Sequence, residues 1–262
     1  MHVVVTGGSS GIGLEVARIY VRRGANVSLI ARNLDQLELA ARDLSSTLAA
    51  GQGTVAIQSA DISIEAEISA AFAACESRFG PCDILIASAG MVEPGRFDEQ
   101  AGSVFAQQIN VNLLGTTNAV RAAYAGMRAR GRGKIMIVSS GAALIGIPGY
   151  SAYCASKSAL AGFAEALRTE AAMHGVSVSI CFPPDTDTPQ FVNELPKRPP
   201  EARALMGAAP PWSAVSVAEK IVVATDRGRA KLYFGFSITM LGLFGPLIKP
   251  FVFAWFRPRH KR

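Results

Sequence analysis

Histidine and cysteine are scarce in this chain: three and four residues out of 262. The cysteines (Cys75, Cys82, Cys154 and Cys181) show no CxxC spacing, which argues against a disulfide framework or a zinc site and fits a reducing compartment. Asp185 and Asp187 have no histidine or third acid beside them, so they read as turn residues and no metal is expected. No Pro/Ser-rich linker divides the chain and no internal repeat recurs. Charged residues make up only 18% against 50% apolar, which excludes a disordered chain and fits one large domain with a substantial core. A basic face interleaved with aromatics is missing too. The formal charge of +6 owes much to Lys249, Arg257, Arg259, Lys261 and Arg262, which crowd the last fourteen residues beside an apolar run. That placement points to a membrane surface and away from nucleic acid. No leader pattern precedes the first apolar strand, so a cytoplasmic location is expected.

What is present is alternation. Val3–Thr6, Val27–Ala31, Thr54–Ser59, Ile84–Ala87, Lys134–Ser139 and Val176–Cys181 are short apolar runs that read as buried strands. Between them lie helical patterns over Ile12–Arg23, Leu34–Ala49, Ile64–Phe79, Asp98–Arg130 and Ala152–His174. The fold class that follows is α/β: a single Rossmann-type doubly wound parallel sheet with helices on both faces. Residues 1–230 form the expected catalytic domain. Within it the Pro-rich stretch 183–212 reads as a loop or short helices over the site mouth. Residues 231–262 form an apolar tail. Leu232 to Ile248 carries no charge, but Gly242, Gly245, Pro246 and Pro250 interrupt the run and basic residues flank both ends. A monotopic or re-entrant anchor on the cytoplasmic face fits this better than a full crossing. A final strand and helix buried against the core or in an oligomer interface is the other reading.

The stretch Thr6 to Gly13 reads TGGSSGIG, directly between the first strand and the first helix. Glycines at Gly7, Gly11 and Gly13 allow a tight turn and close backbone approach, with Ser9, Ser10 and Ile12 between them. N–H groups at the helix start then face a pyrophosphate. At the end of the second strand, where an NAD site carries an acid for the ribose hydroxyl, Ala31 stands instead, followed by Arg32. A guanidinium pairs with a 2′-phosphate that a carboxylate would repel, so NADPH/NADP+ is the expected cofactor. Asp61 and Ile62 follow the third strand as adenine contacts; a helix N-cap is the other reading of Asp61.

Tyr153 and Lys157 lie at i and i+4 of a helical stretch, so phenol and ammonium share a face, and Ser140 ends a buried strand thirteen residues earlier. Together with the glycine loop, Ala89-Gly90 and Asn112, these positions resemble, in order, the short-chain dehydrogenase/reductase family. The resemblance implies a catalytic tetrad of Asn112, Ser140, Tyr153 and Lys157. Tyr153 is the expected proton donor, helped by Lys157, which would also hold the nicotinamide ribose. Ser140 would fix the substrate oxygen, and Asn112 would hold a relay water. It also implies that Pro183, Thr186 and Thr188 hold the nicotinamide carboxamide, and that the long helices pair in a homodimer or homotetramer. One departure is Ala87-Ser88-Ala89-Gly90, where the family has Asn-Asn-Ala-Gly.

The string Pro183-Pro184-Asp185-Thr186-Asp187-Thr188-Pro189, Ala31-Arg32-Asn33 and Ala89-Gly90-Met91 are similar to the 3-ketodihydrosphingosine reductase subfamily. That similarity implies a lipophilic ketone substrate, a 3-keto long-chain base. Phe191, Val192, Leu195, Leu205, Met206 and Trp212 would give the mouth an apolar side. Two rivals stand: a reductase of another lipophilic or acyl ketone, with Lys197, Arg198 and Arg203 as a basic rim for a carrier protein, or a non-enzymatic NADPH-binding scaffold.

Overall fold

The computed structural model describes residues 1–46, 53–207 and 209–256. Six strands fall where the apolar runs predict, within a residue at most ends. They are β1 (His2–Thr6), β2 (Asn26–Ala31), β3 (Val55–Ser59), β4 (Ile84–Ala87), β5 (Gly133–Val138) and β6 (Val176–Phe182). All ladders are parallel, in the order β3-β2-β1-β4-β5-β6. Every residue of β1 and β4 is buried. Such strands carry side chains into cores on both faces, which is why they read as unbroken apolar runs.

Helices α1 (Gly11–Arg22), α2 (Leu34–Ser46) and α3 (Glu65–Phe79) follow the first three strands. The long helical pattern after β4 is α4 (Gly102–Ile109), a π-helical turn over Asn110–Gly115, and α5 (Thr116–Arg130); α6 (Ser151–Ala172) follows β5. One face of the sheet packs on α3, α5 and α6 through Ile68, Phe72, Val120, Met127 and Leu160. The other packs on α1 and α2 through Val16, Tyr20, Leu37 and Leu44. Each large apolar side chain buried this way stabilises the fold by about 1.5–3 kcal/mol.

Beyond β6 the chain carries β7 (Thr186–Asp187), α7 (Pro189–Glu194), α8 (Pro200–Met206) and β8 (Trp212–Ser213). One further element was not expected, α9 (Ala214–Asp226), which packs on α1 under the second face; β9 (Lys231–Tyr233) is the final strand that the second reading of the tail anticipates. β9 pairs parallel to β6 and makes the sheet seven-stranded, so the first three residues of the expected tail belong to the sheet. The last element among the described residues is α10 (Gly235–Phe256), bent at Phe244 (φ −123°, ψ 19°). Pro246 lacks an N–H and its ring crowds the preceding turn, which accounts for the bend. Residues 47–49 of the expected second helix, and Arg257, Arg259, Lys261 and Arg262, lie outside the described residues.

Candidate active site

In this sheet β1 lies between β2 and β4, so successive crossovers diverge there and leave a crevice at the strand carboxyl ends. A cavity of about 1070 Å³ opens at that place, large enough for a dinucleotide and a substrate together.

Its first half is the glycine turn. Gly7 holds φ +66°, and a Cβ on Gly13 would lie 2.3 Å from the Gly7 carbonyl oxygen, so neither position accepts a side chain without displacing the turn. Ser10 sits at the N-cap of α1 but its side chain makes no capping bond. The first N–H groups of a twelve-residue helix therefore face the cavity, a ready seat for a pyrophosphate. Ser9, Gly11 and Ile12 line the same turn, and Ile62, Ala89 and Gly90 line the floor beyond it. Arg32 lines the rim with its side chain 59% exposed, held among the described residues only by a 3.9 Å contact to Asp61. That leaves its guanidinium free for a phosphate. This cradle, open helix start and unencumbered arginine fit a phosphorylated dinucleotide.

Asp61 does not line the cavity. Its Oδ1 accepts from the Ser63 backbone and hydroxyl at 2.8 and 2.6 Å. Burial would raise this carboxyl, but the Ser63 bonds and nearby Arg32 outweigh it and hold the group below the ordinary range. Nor is it a helix cap, since Ile64 occupies that position before α3.

The second half carries three of the expected tetrad, Ser140, Tyr153 and Lys157. Tyr153 and Lys157 project from α6, which Ser139 ties to the end of β5 by donating to the Lys157 carbonyl at 2.9 Å. Lys157 is 4% exposed and its Nζ donates to the Val138 carbonyl at 3.1 Å. Burial pulls this ammonium down to about 8. Ser140 Oγ accepts from the Ala142 N–H at 3.1 Å, and this hydroxyl acts to lower the Tyr153 phenol beside it. Tyr153 has one edge open to the cavity. Burial of the rest of the ring pushes its phenol well up, the Ser140 hydroxyl pulls it down, and the charges of Glu194 and Asp185 add to the rise. Lys157 lowering the phenol is therefore not what the protein groups produce by themselves: its Nζ lies 5.8 Å from the Tyr153 ring centroid, and burial weakens its own charge.

Asn112 is fully buried in the π-helical turn and does not line the cavity. Its Oδ1 accepts from the Met91 N–H at 2.7 Å, and its Nδ2 donates to the Met91 carbonyl at 2.9 Å and to Ser156 Oγ at 3.0 Å. Both hydrogens of the amide are thus engaged, and the main-chain carbonyl accepts from Thr116 Oγ1 at 2.7 Å. The π-turn at this position is a frequent mark of a functional site.

Pro183, Thr186 and Thr188 line the cavity where β6 ends. The Pro183 carbonyl accepts from Gly141 N–H at 2.8 Å, Thr186 Oγ1 donates to the Pro184 carbonyl at 2.8 Å, and Thr188 Oγ1 caps α7 by accepting from Phe191 at 3.2 Å. Asp185 is more than a turn residue. It pairs with both terminal nitrogens of Arg198 at 2.7 and 3.1 Å, and Arg198 also donates to Glu194 at 2.8 Å. Arg198 is 5% exposed. Lys197 pairs with Glu93 at 2.7 Å, and Arg203 donates to the carbonyls of Arg198 and Leu195. The three cations of the expected basic rim are thus engaged within the protein. Of the apolar mouth residues, Phe191, Leu205, Met206 and Trp212 line the cavity, while Val192 and Leu195 face solvent. Sequence reasoning missed the wall opposite, where α10 supplies Ile238, Leu241, Ile248 and Val252.

A glycine cradle, a buried lysine one helical turn from a tyrosine and a serine on that tyrosine define a nicotinamide-dependent oxidoreductase, and residues 1–199 match the family described as short chain dehydrogenase. The chain belongs to that family. Its relatives include the 3-ketodihydrosphingosine reductase of Bos taurus, 36% identical over 92% of this chain and 73% of the relative. The protein of that name from Dictyostelium discoideum is 34% identical over 97% of this chain and 80% of its own length. Among solved structures, a short chain dehydrogenase/reductase family protein superimposes with a TM-score of 0.76 at 29% identity, covering 89% of this chain and 94% of the other.

Proposed function

We propose that this protein uses NADPH to reduce the ketone of a 3-keto long-chain base, 3-ketodihydrosphingosine, to the 3-hydroxy form, a step of sphingolipid synthesis. The observation that carries this reading is the wall of the cavity: the apolar helix α10 closes the chamber into which Tyr153 opens, so a ketone on a hydrocarbon chain meets apolar surface on one side and the tetrad on the other. The names of relatives matched over most of their length support the same substrate.

When bound, the nicotinamide supplies the hydride. The chain supplies the rest. Ser140 and Tyr153 hydrogen-bond the carbonyl oxygen, where negative charge develops as hydride arrives, and the Tyr153 Oη proton passes to that oxygen. A phenol kept protonated by burial is suited to donate in this direction. Lys157 sits one turn along the helix to hold the nicotinamide ribose and to favour the transient phenolate. Asn112 fixes the strand-end loop and offers its main-chain carbonyl to a relay water. Arg32 takes the 2′-phosphate, which favours NADPH over NADH.

The tail seats the protein on a membrane. Among the described residues α10 is the one helix long and apolar enough to cross a bilayer, and only 6% of its apolar window is buried. Its bend and internal prolines favour lying in the cytoplasmic interface, beside the lipid substrate, over spanning. Exposed small residues along α6 (Ala155, Ser158, Ala159, Gly162 and Ala166) provide a flat face on which a second copy packs as a dimer or tetramer. A carrier-protein thioester is disfavoured because Lys197, Arg198 and Arg203 are already engaged.

The test is NADPH oxidation by detergent-solubilised protein given 3-ketodihydrosphingosine, a 3-oxoacyl thioester or a ketosteroid. Preference for the long-chain base is expected. Turnover of only the other two would keep the fold and tetrad and overturn the substrate.

A further inference from the structure

The cavity beside Tyr153 has a charged feature that hydride transfer does not use. Asp185 and Glu194 both line it, and Arg198, the cation they share, sits behind them and does not. Two carboxylates on one guanidinium leave the wall with a net charge of about −1. The bonds within the group are unevenly spread. Both Asp185 oxygens are taken by Arg198. On Glu194, Oε1 accepts from both the Tyr150 hydroxyl and Arg198, whereas Oε2 has no partner among the described residues. The Glu194 side chain is only 11% exposed. A carboxylate oxygen that the described residues leave unpartnered on a cavity wall keeps its lone pairs for a ligand donor.

Glu194 accepts from the Tyr150 hydroxyl, and the Tyr150 ring packs edge-on to that of Tyr153 at 6.3 Å between centroids, which sets the carboxylate beside the carbonyl under reduction. A donor on the carbon next to that carbonyl falls within its reach, and the charge of the wall selects a cation. A 3-keto long-chain base carries a primary amine on that neighbouring carbon. Resting on the substrate reading above, we propose that Glu194 Oε2 receives the substrate ammonium, so that Glu194 selects 2-amino-3-ketones over plain long-chain ketones. Tyr150 and Arg198 are positioning residues that hold the carboxylate by its other oxygen. The match is chemical: a charge-assisted N–H to carboxylate bond is among the stronger hydrogen bonds a site can make, and it forms only with a protonated amine.

The experiment compares kcat/KM for 3-ketodihydrosphingosine with that for its N-acetylated form and for the chain-matched ketone without the amine, in the wild type and in Glu194→Gln. The wild type is expected to prefer the free amine by roughly tenfold or more. That ratio is expected to collapse toward unity in Glu194→Gln, mainly through KM. Because the substitution also touches Arg198, a second measurement uses the wild type alone: inhibition by a long-chain 2-amino alcohol should exceed that by its N-acetyl derivative by a similar factor. An unchanged ratio in Glu194→Gln, or equal inhibition by the two alcohols, overturns the role of Glu194 while leaving the substrate reading intact. Failure of the wild type to reduce any of the three ketones sinks both.

Discussion

The side-chain amide of Asn112 grips the backbone of Met91 at both ends, accepting from its N–H at 2.7 Å and donating to its carbonyl at 2.9 Å. An asparagine inside a helix thereby fixes the loop that leaves β4, and the π-helical turn presents it there. Asn112→Ala leaves the Met91 groups without their partner, and such losses cost about 1–3 kcal/mol each. We expect the urea midpoint to fall by an amount equivalent to about 2–4 kcal/mol. Activity should fall with it. A variant of wild-type stability would show that the grip is not structural.

Arg32 is the residue we propose to discriminate between the two nicotinamide cofactors. Its guanidinium is mostly solvent-facing and is held, among the described residues, only by the long contact to Asp61. Arg32→Ala should raise KM for NADPH by roughly tenfold or more, the scale of a lost charge-assisted pair, with little change for NADH. Steady-state kinetics with both cofactors checks this. Equal effects on the two would place the 2′-phosphate elsewhere.

Lys157 is buried at a cost. Its ammonium titrates at about 8 in the fold against an ordinary value of 10.5, so the folded chain pays for the charged form below pH 8. Between those values the unfolded chain binds the extra proton and stability rises with pH. Lys157→Met should therefore be inactive yet more stable at pH 7, by up to about 3 kcal/mol, and the advantage should shrink by pH 9.5. Urea unfolding at the two pH values reads this directly. A pH-independent gap would mean the lysine is not destabilised by its burial.

The parts legible in the sequence were those with strong local signals. Unbroken apolar runs marked β1 to β6, and the glycine turn stood between a strand and a helix as phosphate chemistry requires. Tyr153 and Lys157 were linked by helical spacing, made specific by Ser140 at a strand end thirteen residues earlier. Other parts depend on long-range packing. β9 has only three residues and no period of its own; it is a strand because β6 offers an open edge. α9 carries a capping serine, Ser213, and apolar residues at helical intervals, a signal that was there to read. The Asp185–Arg198 pair spans thirteen residues and shows only once α7 folds back over the mouth, although Glu194 and Arg198 have the spacing of a helical ion pair.

Leu247 and Phe251 are 68% and 77% exposed on the face of α10 that does not line the cavity. Exposed apolar residues in a row on a bent helix suit a bilayer interface. Replacing both with Glu should lower co-sedimentation with anionic vesicles by about tenfold or more, since charges enter the acyl region at a cost of kilocalories each. Reduction of a short, water-soluble ketone should continue. Undiminished vesicle binding would assign the helix face to a protein contact instead.

The most direct measurement is on Tyr153, where every element of the site converges. In Tyr153→Phe we would determine the NADPH dissociation constant by fluorescence and the turnover of 3-ketodihydrosphingosine in one preparation. Loss of the phenolic proton should lower kcat by about 10²–10⁴-fold, the usual contribution of a positioned acid, with NADPH affinity retained. Turnover near that of the wild type would show that another group delivers the proton and would contradict the assignment of this cavity as the catalytic centre.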